Sequence, residues 1–84
     1  MHKTTPRFWR YFEQLPEPVQ RVARQNFGLL LTNPRHLSLY FKKVGKYWAA
    51  RVGQNHRALA IKDGSNFTWV WIGRHDEYER LIKS

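Results

Sequence analysis

Residues 57–72, Arg57-Ala-Leu-Ala-Ile61-Lys-Asp63-Gly64-Ser-Asn-Phe67-Thr-Trp69-Val-Trp71-Ile72, decide the fold of this chain. Asp63-Gly64 between two apolar runs is a hairpin signal, because glycine takes the positive φ that a tight reversing turn needs. Phe67 to Ile72 is apolar on both faces, which predicts a strand inside a sheet rather than at its edge. Upstream, Trp48, Ala50 and Val52 alternate with Ala49 and Arg51, and Gly53-Gln54-Asn55 reads as the turn before Arg57–Ile61. Leu39 and Phe41 alternate with Tyr40 and Lys42, predicting one more strand, with Gly45 in the turn after it. The second half of the chain therefore reads as about four antiparallel strands.

The first half has helical spacing instead. Thr5-Pro6 combines an N-cap hydroxyl with proline at the first helical position, and Phe8, Phe12 and Leu15 follow on one face. Pro16-Glu17-Pro18 breaks this helix and starts a second, whose Val19, Val22, Ala23, Phe27 and Leu30 form an apolar stripe; Asn33-Pro34 ends it. Asp76 to Lys83 is consistent with a short terminal helix. The expected architecture is one α+β domain over residues 1–84, with an N-terminal helical hairpin on one face of a roughly four-stranded antiparallel sheet. Only Met1 to Thr4 precede the first helix, which leaves little room for a strand there.

With 84 residues, 42% of them hydrophobic and 15% aromatic, the chain can build a single core, and the four tryptophans are expected mainly inside it. It has no cysteine, so disulfides, thiolate metal sites and a cysteine nucleophile are excluded together. His2, His36, His56 and His75 show no paired metal-ligand spacing, and no P-loop, dinucleotide or Ser-His-Asp pattern is present. Neither a metal nor a cofactor is expected. No apolar run approaches the ~18 residues of a membrane span, so the expected location is the cytoplasm, away from membranes.

Charge is the strongest functional signal. From Pro18 to Lys62 there is no Asp or Glu, while Arg21, Arg24, Arg35, Lys42, Lys43, Lys46, Arg51, Arg57 and Lys62 all fall there. These nine cations equal the formal net charge of +9, so the rest of the chain is balanced. Surfaces without a binding task usually mix both signs, whereas an uncompensated positive field suits a polyanion, whose neutralised phosphates release counterions. Two groupings stand out within this pattern: Arg51 and Arg57 flanking one turn, and the ionisable cluster Arg74-His75-Asp76-Glu77-Tyr78 at the end of the last strand.

Leu15-Pro16 with Val19-Gln20, then Asn33-Pro34, Leu37-Ser38-Leu39, Phe41-Lys42, Arg51-Val52, Arg57-Ala58 and Trp71-Ile72-Gly73-Arg74-His75-Asp76-Glu77-Tyr78, resemble the RelE/ParE toxin superfamily. More closely, they resemble short RelE-like toxin components of toxin–antitoxin systems, in order along nearly the whole chain. The resemblance implies a ribosome-dependent endoribonuclease that cuts messenger RNA without metal. In such a reaction the substrate's 2′-hydroxyl attacks the adjacent phosphate, leaving a 2′,3′-cyclic phosphate and a 5′-hydroxyl. That chemistry needs a base, a cation for the phosphorane-like charge, and an acid. By resemblance Arg57 is the phosphate-stabilising arginine, with His75, Tyr78 and Arg51 completing the catalytic set. Lys42, Lys43, Lys46 and Arg74 are the expected RNA-binding residues, and the expected partners are an acidic antitoxin, the ribosome and messenger RNA. Alternatives remain: a ParE-like gyrase inhibitor, or an inactive member that binds only its antitoxin or nucleic acid. Plainer roles also exist: Arg51 and Arg57 as solvated strand residues, His75 bonded to a partner, Tyr78 packed against Trp71.

Overall fold

The computed structural model describes residues 1–83. Its elements run β1 (His2–Thr4), α1 (Pro6–Glu13), α2 (Glu17–Thr32), a 3-10 turn at Leu37–Leu39, β2 (Lys42–Val44), β3 (Tyr47–Val52), β4 (His56–Asp63), β5 (Asn66–Arg74) and α3 (His75–Lys83). The strands form one sheet in the order β1-β5-β4-β3-β2. Neighbours from β2 to β5 are antiparallel, and β1 runs parallel to β5. The α+β class and the helical hairpin are as expected. The sheet differs, having five strands and mixed direction.

The extra strand forms from three residues because side chains tie it down. Phe67 N–H donates to the Met1 carbonyl at 2.8 Å. Trp69 Nε1 donates to His2 Nδ1 at 3.1 Å, and the His2 ring stacks on Phe67 with centroids 5.2 Å apart. Thr5 then serves two elements. Its Oγ1 accepts from Phe8 N–H at 3.1 Å, capping α1, and donates to the Trp69 carbonyl at 3.0 Å. The sequence pattern missed this strand because its anchors lie more than sixty residues away.

A second difference concerns residues 37–41. The alternation of Leu39 and Phe41 suggested a strand, but the chain makes a 3-10 turn and Tyr40 takes a left-handed φ of 48°. Leu39 is buried and Phe41 packs on the same core, so period two gave the correct facing by a different backbone route. The hairpin turns follow the glycines. Gly45 and Gly64 each stand first in a two-residue turn with φ near +60°, the type II′ requirement.

Two cores flank the sheet. On the helical-hairpin side, Phe12 and Leu30 meet Leu39, Ala50, Val52, Ala58, Ala60, Trp69 and Ile72. Gln20 Nε2 ties the helices together by donating to the Phe12 and Leu15 carbonyls. On the opposite face, Ala49, Leu59, Trp71 and Tyr78 form a smaller cluster under α3. α3 covers part of that face and leaves a cleft. Trp69 and Trp71 are core residues and Trp48 is half-buried, but Trp9 is 42% exposed. Its indole N–H donates to Thr4 Oγ1 instead.

Because Thr5 joins the α1 cap to β5, Thr5→Ala should lower stability by about 1–2 kcal/mol in urea unfolding, with Thr5→Ser close to wild type. An unchanged midpoint for Thr5→Ala would mean that the cap does not hold these elements together.

Candidate functional site

A polar cleft of about 240 Å³ opens on the α3 side of the sheet, lined by Tyr40, Lys42, Ala49, Ala50, Arg51, Arg57, His75 and Tyr78. Register explains the convergence. Arg51 on β3 pairs directly with Arg57 on β4, and Arg57 pairs with Gly73 on β5. Strand side chains alternate, so Ala50, Val52 and Ala58 enter the helical-side core while both arginines face the cleft. Lys42 lies opposite Ala49 and joins them from β2. His75 N–H donates to the Asn55 carbonyl at 2.8 Å, which fixes the start of α3 against the β3–β4 turn. That bond brings His75 and Tyr78 to the arginines.

The electrostatics of the cleft are one-sided. Among the described residues, neither Arg51 nor Arg57 has a carboxylate partner. Burial holds the Arg57 guanidinium below its ordinary pKa, the Arg51 charge pushes the same way, and Tyr78 acts in the other direction. Its Nη1 donates to the His56 carbonyl at 2.7 Å. Arg51 Nε is buried without a hydrogen-bond partner among the described residues, and its guanidinium lies 5.6 Å from the Tyr40 ring centre. His56, beside this group, is held below the usual imidazole range by burial and by the charges of Arg74 and Arg57. Two like charges side by side, one with an orphaned N–H, make a place where an anion would be stabilised.

His75 has the partner its plainer reading anticipated. Glu79 Oε1 lies 3.2 Å from His75 Nδ1, one helical turn on. A carboxylate at Nδ1 orients the ring and leaves Nε2 for proton exchange. Glu79 also takes Lys83 at 3.6 Å. The His75 ring lies 5.5 Å from that of Tyr78, which is buried and shares its cluster with Trp71. Tyr78 thus packs against Trp71 and lines the cleft at once.

The structure brings together all four residues of the expected catalytic set, with Lys42. It does not bring in the other expected RNA contacts. Lys43 pairs with Trp48 and faces the other side of the sheet, Lys46 sits in the β2–β3 turn over the Tyr47 ring, and Arg74 is exposed and paired with Asp76 at 3.7 Å. Two residues escaped the sequence reading: Tyr40 in the cleft lining and Glu79 behind His75. Glu79 was legible as the i+4 partner of His75 on a helix; Tyr40 carried no signal. A second pocket, about 220 Å³ between the helical hairpin and the sheet, is walled by Phe8, Phe12, Leu30 and Ile72 and has no facing acid–base pair. We therefore place the site in the polar cleft.

No family model matches the chain, and no curated protein matches it. Solved structures do. A chain of the RelB–RelE antitoxin–toxin complex from Methanococcus jannaschii superposes with a TM-score of 0.72 at 16% identity, covering 94% of this chain and 96% of the other. YafQ from E. coli strain BL21(DE3) gives 0.72 at 10% identity over 93% and 96%. A YoeB/ParE toxin from Agrobacterium tumefaciens gives 0.66 at 13% identity over 88% and 96%. The protein has the RelE-like toxin fold.

Gly73 is a structural condition of this cleft. A Cβ there would stand 2.5 Å from Trp71 Cζ2, a ring atom in the core beside Arg57. The ring has no flexible end to swing aside, so Gly73→Ala should cost about 1–3 kcal/mol in urea unfolding. Wild-type stability for that variant would show that Trp71 is free to move.

Proposed function

We propose that this chain is a RelE-like toxin: a ribosome-dependent endoribonuclease held in check by an acidic antitoxin. The observation that carries the reading is the meeting of Arg51, Arg57, His75 and Tyr78 in one cleft whose two arginines have no carboxylate partner among the described residues. A gyrase inhibitor has no need of an acid–base pair beside facing arginines. Each requirement of metal-independent 2′-hydroxyl attack has a candidate side chain. His75, oriented by Glu79, takes the 2′-proton through Nε2. Arg57, seconded by Arg51, stabilises the charge that grows on the non-bridging oxygens. Tyr78 protonates the departing 5′-oxygen. Arginine suits the second role because its fork matches two phosphate oxygens at once. Antitoxin binding follows from the RelB–RelE likeness and from the same field, which an acidic segment would neutralise. No helix among the described residues is long and apolar enough to cross a membrane.

Single-turnover cleavage of messenger RNA on programmed ribosomes tests this. Arg57→Ala should cost about 10²–10³ in rate, and Arg57→Lys should recover only part of it. His75→Gln should cost roughly 10²-fold or more while ribosome binding persists. Products should carry a 2′,3′-cyclic phosphate. An uncut message, with inhibition of gyrase supercoiling, would replace the nuclease reading by the gyrase one.

A further inference from the structure

Tyr40 is an aromatic residue in a conformation that side chains resist. Its φ of 48° lies in the left-handed region, where a residue with a Cβ costs roughly 1–2 kcal/mol relative to ordinary backbone. It is also the only such non-glycine residue among those described. The surroundings hold it there. Leu39 before it is 1% exposed, and Phe41 after it packs on the same core, so both neighbours are drawn inward and Tyr40 is turned out between them. The turn is pinned as well: Tyr40 N–H donates to the Leu37 carbonyl at 3.2 Å, and His36 Nδ1 accepts from Ser38 N–H.

What this strained residue presents is unusual. Tyr40 is 62% exposed, so it adds little to the core, yet it lines the polar cleft. Lys42 Nζ and Arg51 Cζ each lie 5.6 Å from its centroid. An exposed ring held against the cations that would meet a phosphate offers the two surfaces a nucleotide requires. The cations suit the backbone anion, and the π-face suits the base.

We propose that Tyr40 is a base-stacking platform: it takes the nucleobase next to the phosphate held by Arg51 and Arg57. This rests on the nucleic-acid reading of the cleft and extends it, since it assigns a base subsite to a residue outside the acid–base set. Stacking accepts any base, so Tyr40 would favour an unpaired base over bare backbone without dictating sequence. Arg51 then has two tasks, bracing the ring and sharing the phosphate.

The test compares two probes on the free protein at fixed salt: a single-stranded RNA hexamer, and an abasic ribose-phosphate oligomer of the same length. Wild type should prefer the base-bearing probe by roughly tenfold or more. Tyr40→Gly and Tyr40→Asn, both tolerant of the left-handed backbone, should bind the two probes alike. Tyr40→Phe should keep the preference, and Arg57→Ala should weaken both probes while preserving their ratio. A preference that survives Tyr40→Gly and Tyr40→Asn overturns the proposal. Equal binding of both probes by wild type overturns it too, while leaving the phosphate-binding cleft intact. Wild type that binds neither probe overturns the subsite, while the nuclease reading is decided separately by cleavage on programmed ribosomes.

Discussion

Arg51 and Arg57 face one another across β3 and β4, and the rest of the site follows from that pairing. Like charges directly opposite on a sheet destabilise by about 0.2–1 kcal/mol, and a buried N–H without a partner costs about 1–3 kcal/mol more. Among the described residues the free protein bears both costs, because Arg51 Nε is buried and unpartnered and no carboxylate of theirs reaches either guanidinium. A fold chosen for stability alone would place an acid or an apolar side chain at one of these positions. Here the sheet holds two cations ready, and on the proposed function the missing half of the interaction is an anion from outside.

The elements around the pair act as its scaffold. Asn26 on α2 donates to the Arg51 carbonyl at 2.9 Å and fixes β3 against the helical hairpin. Gly73 leaves the place beside Arg57 free of a side chain, and the Trp71 ring fills it. The bulge between Leu59 and Ala60 resets the register so that Trp69 and Trp71 enter cores on opposite faces of the sheet. The bond from His75 N–H to Asn55 brings α3 to the same end of the sheet as the arginines. A site on strand ends and a short helix is more rigid than one on loops.

Much of this was legible in the sequence, for local reasons. Thr5-Pro6, Pro16, Asn33-Pro34, Gly45 and Gly64 act within a turn of where they stand, so the helices and hairpins could be read directly. The Arg51 and Arg57 pairing was implied by the turn between them, and the acid-free stretch announced the field. Three features were not legible. The β1 strand depends on Trp69 and Phe67, far along the chain. The 3-10 turn at Leu37–Leu39 shares its facing with a strand, so periodicity could not separate the two. The spread of the basic residues failed for a third reason: Lys43 and Arg74 adjoin cleft residues in sequence and Lys46 lies between Lys42 and Ala49, but strand alternation, a turn and an ion pair with Asp76 send them elsewhere.

If the two arginines are strained against each other while awaiting an anion, removing one should relieve the fold. Arg51→Met deletes the orphaned N–H and the facing charge, and gives up a cation–π contact worth about 0.5–1 kcal/mol. The net change expected in urea unfolding of the free protein is a gain of about 1 kcal/mol. A loss of stability would contradict the account, because it would make Arg51 a structural residue whose charge the fold uses rather than one it holds out for a ligand.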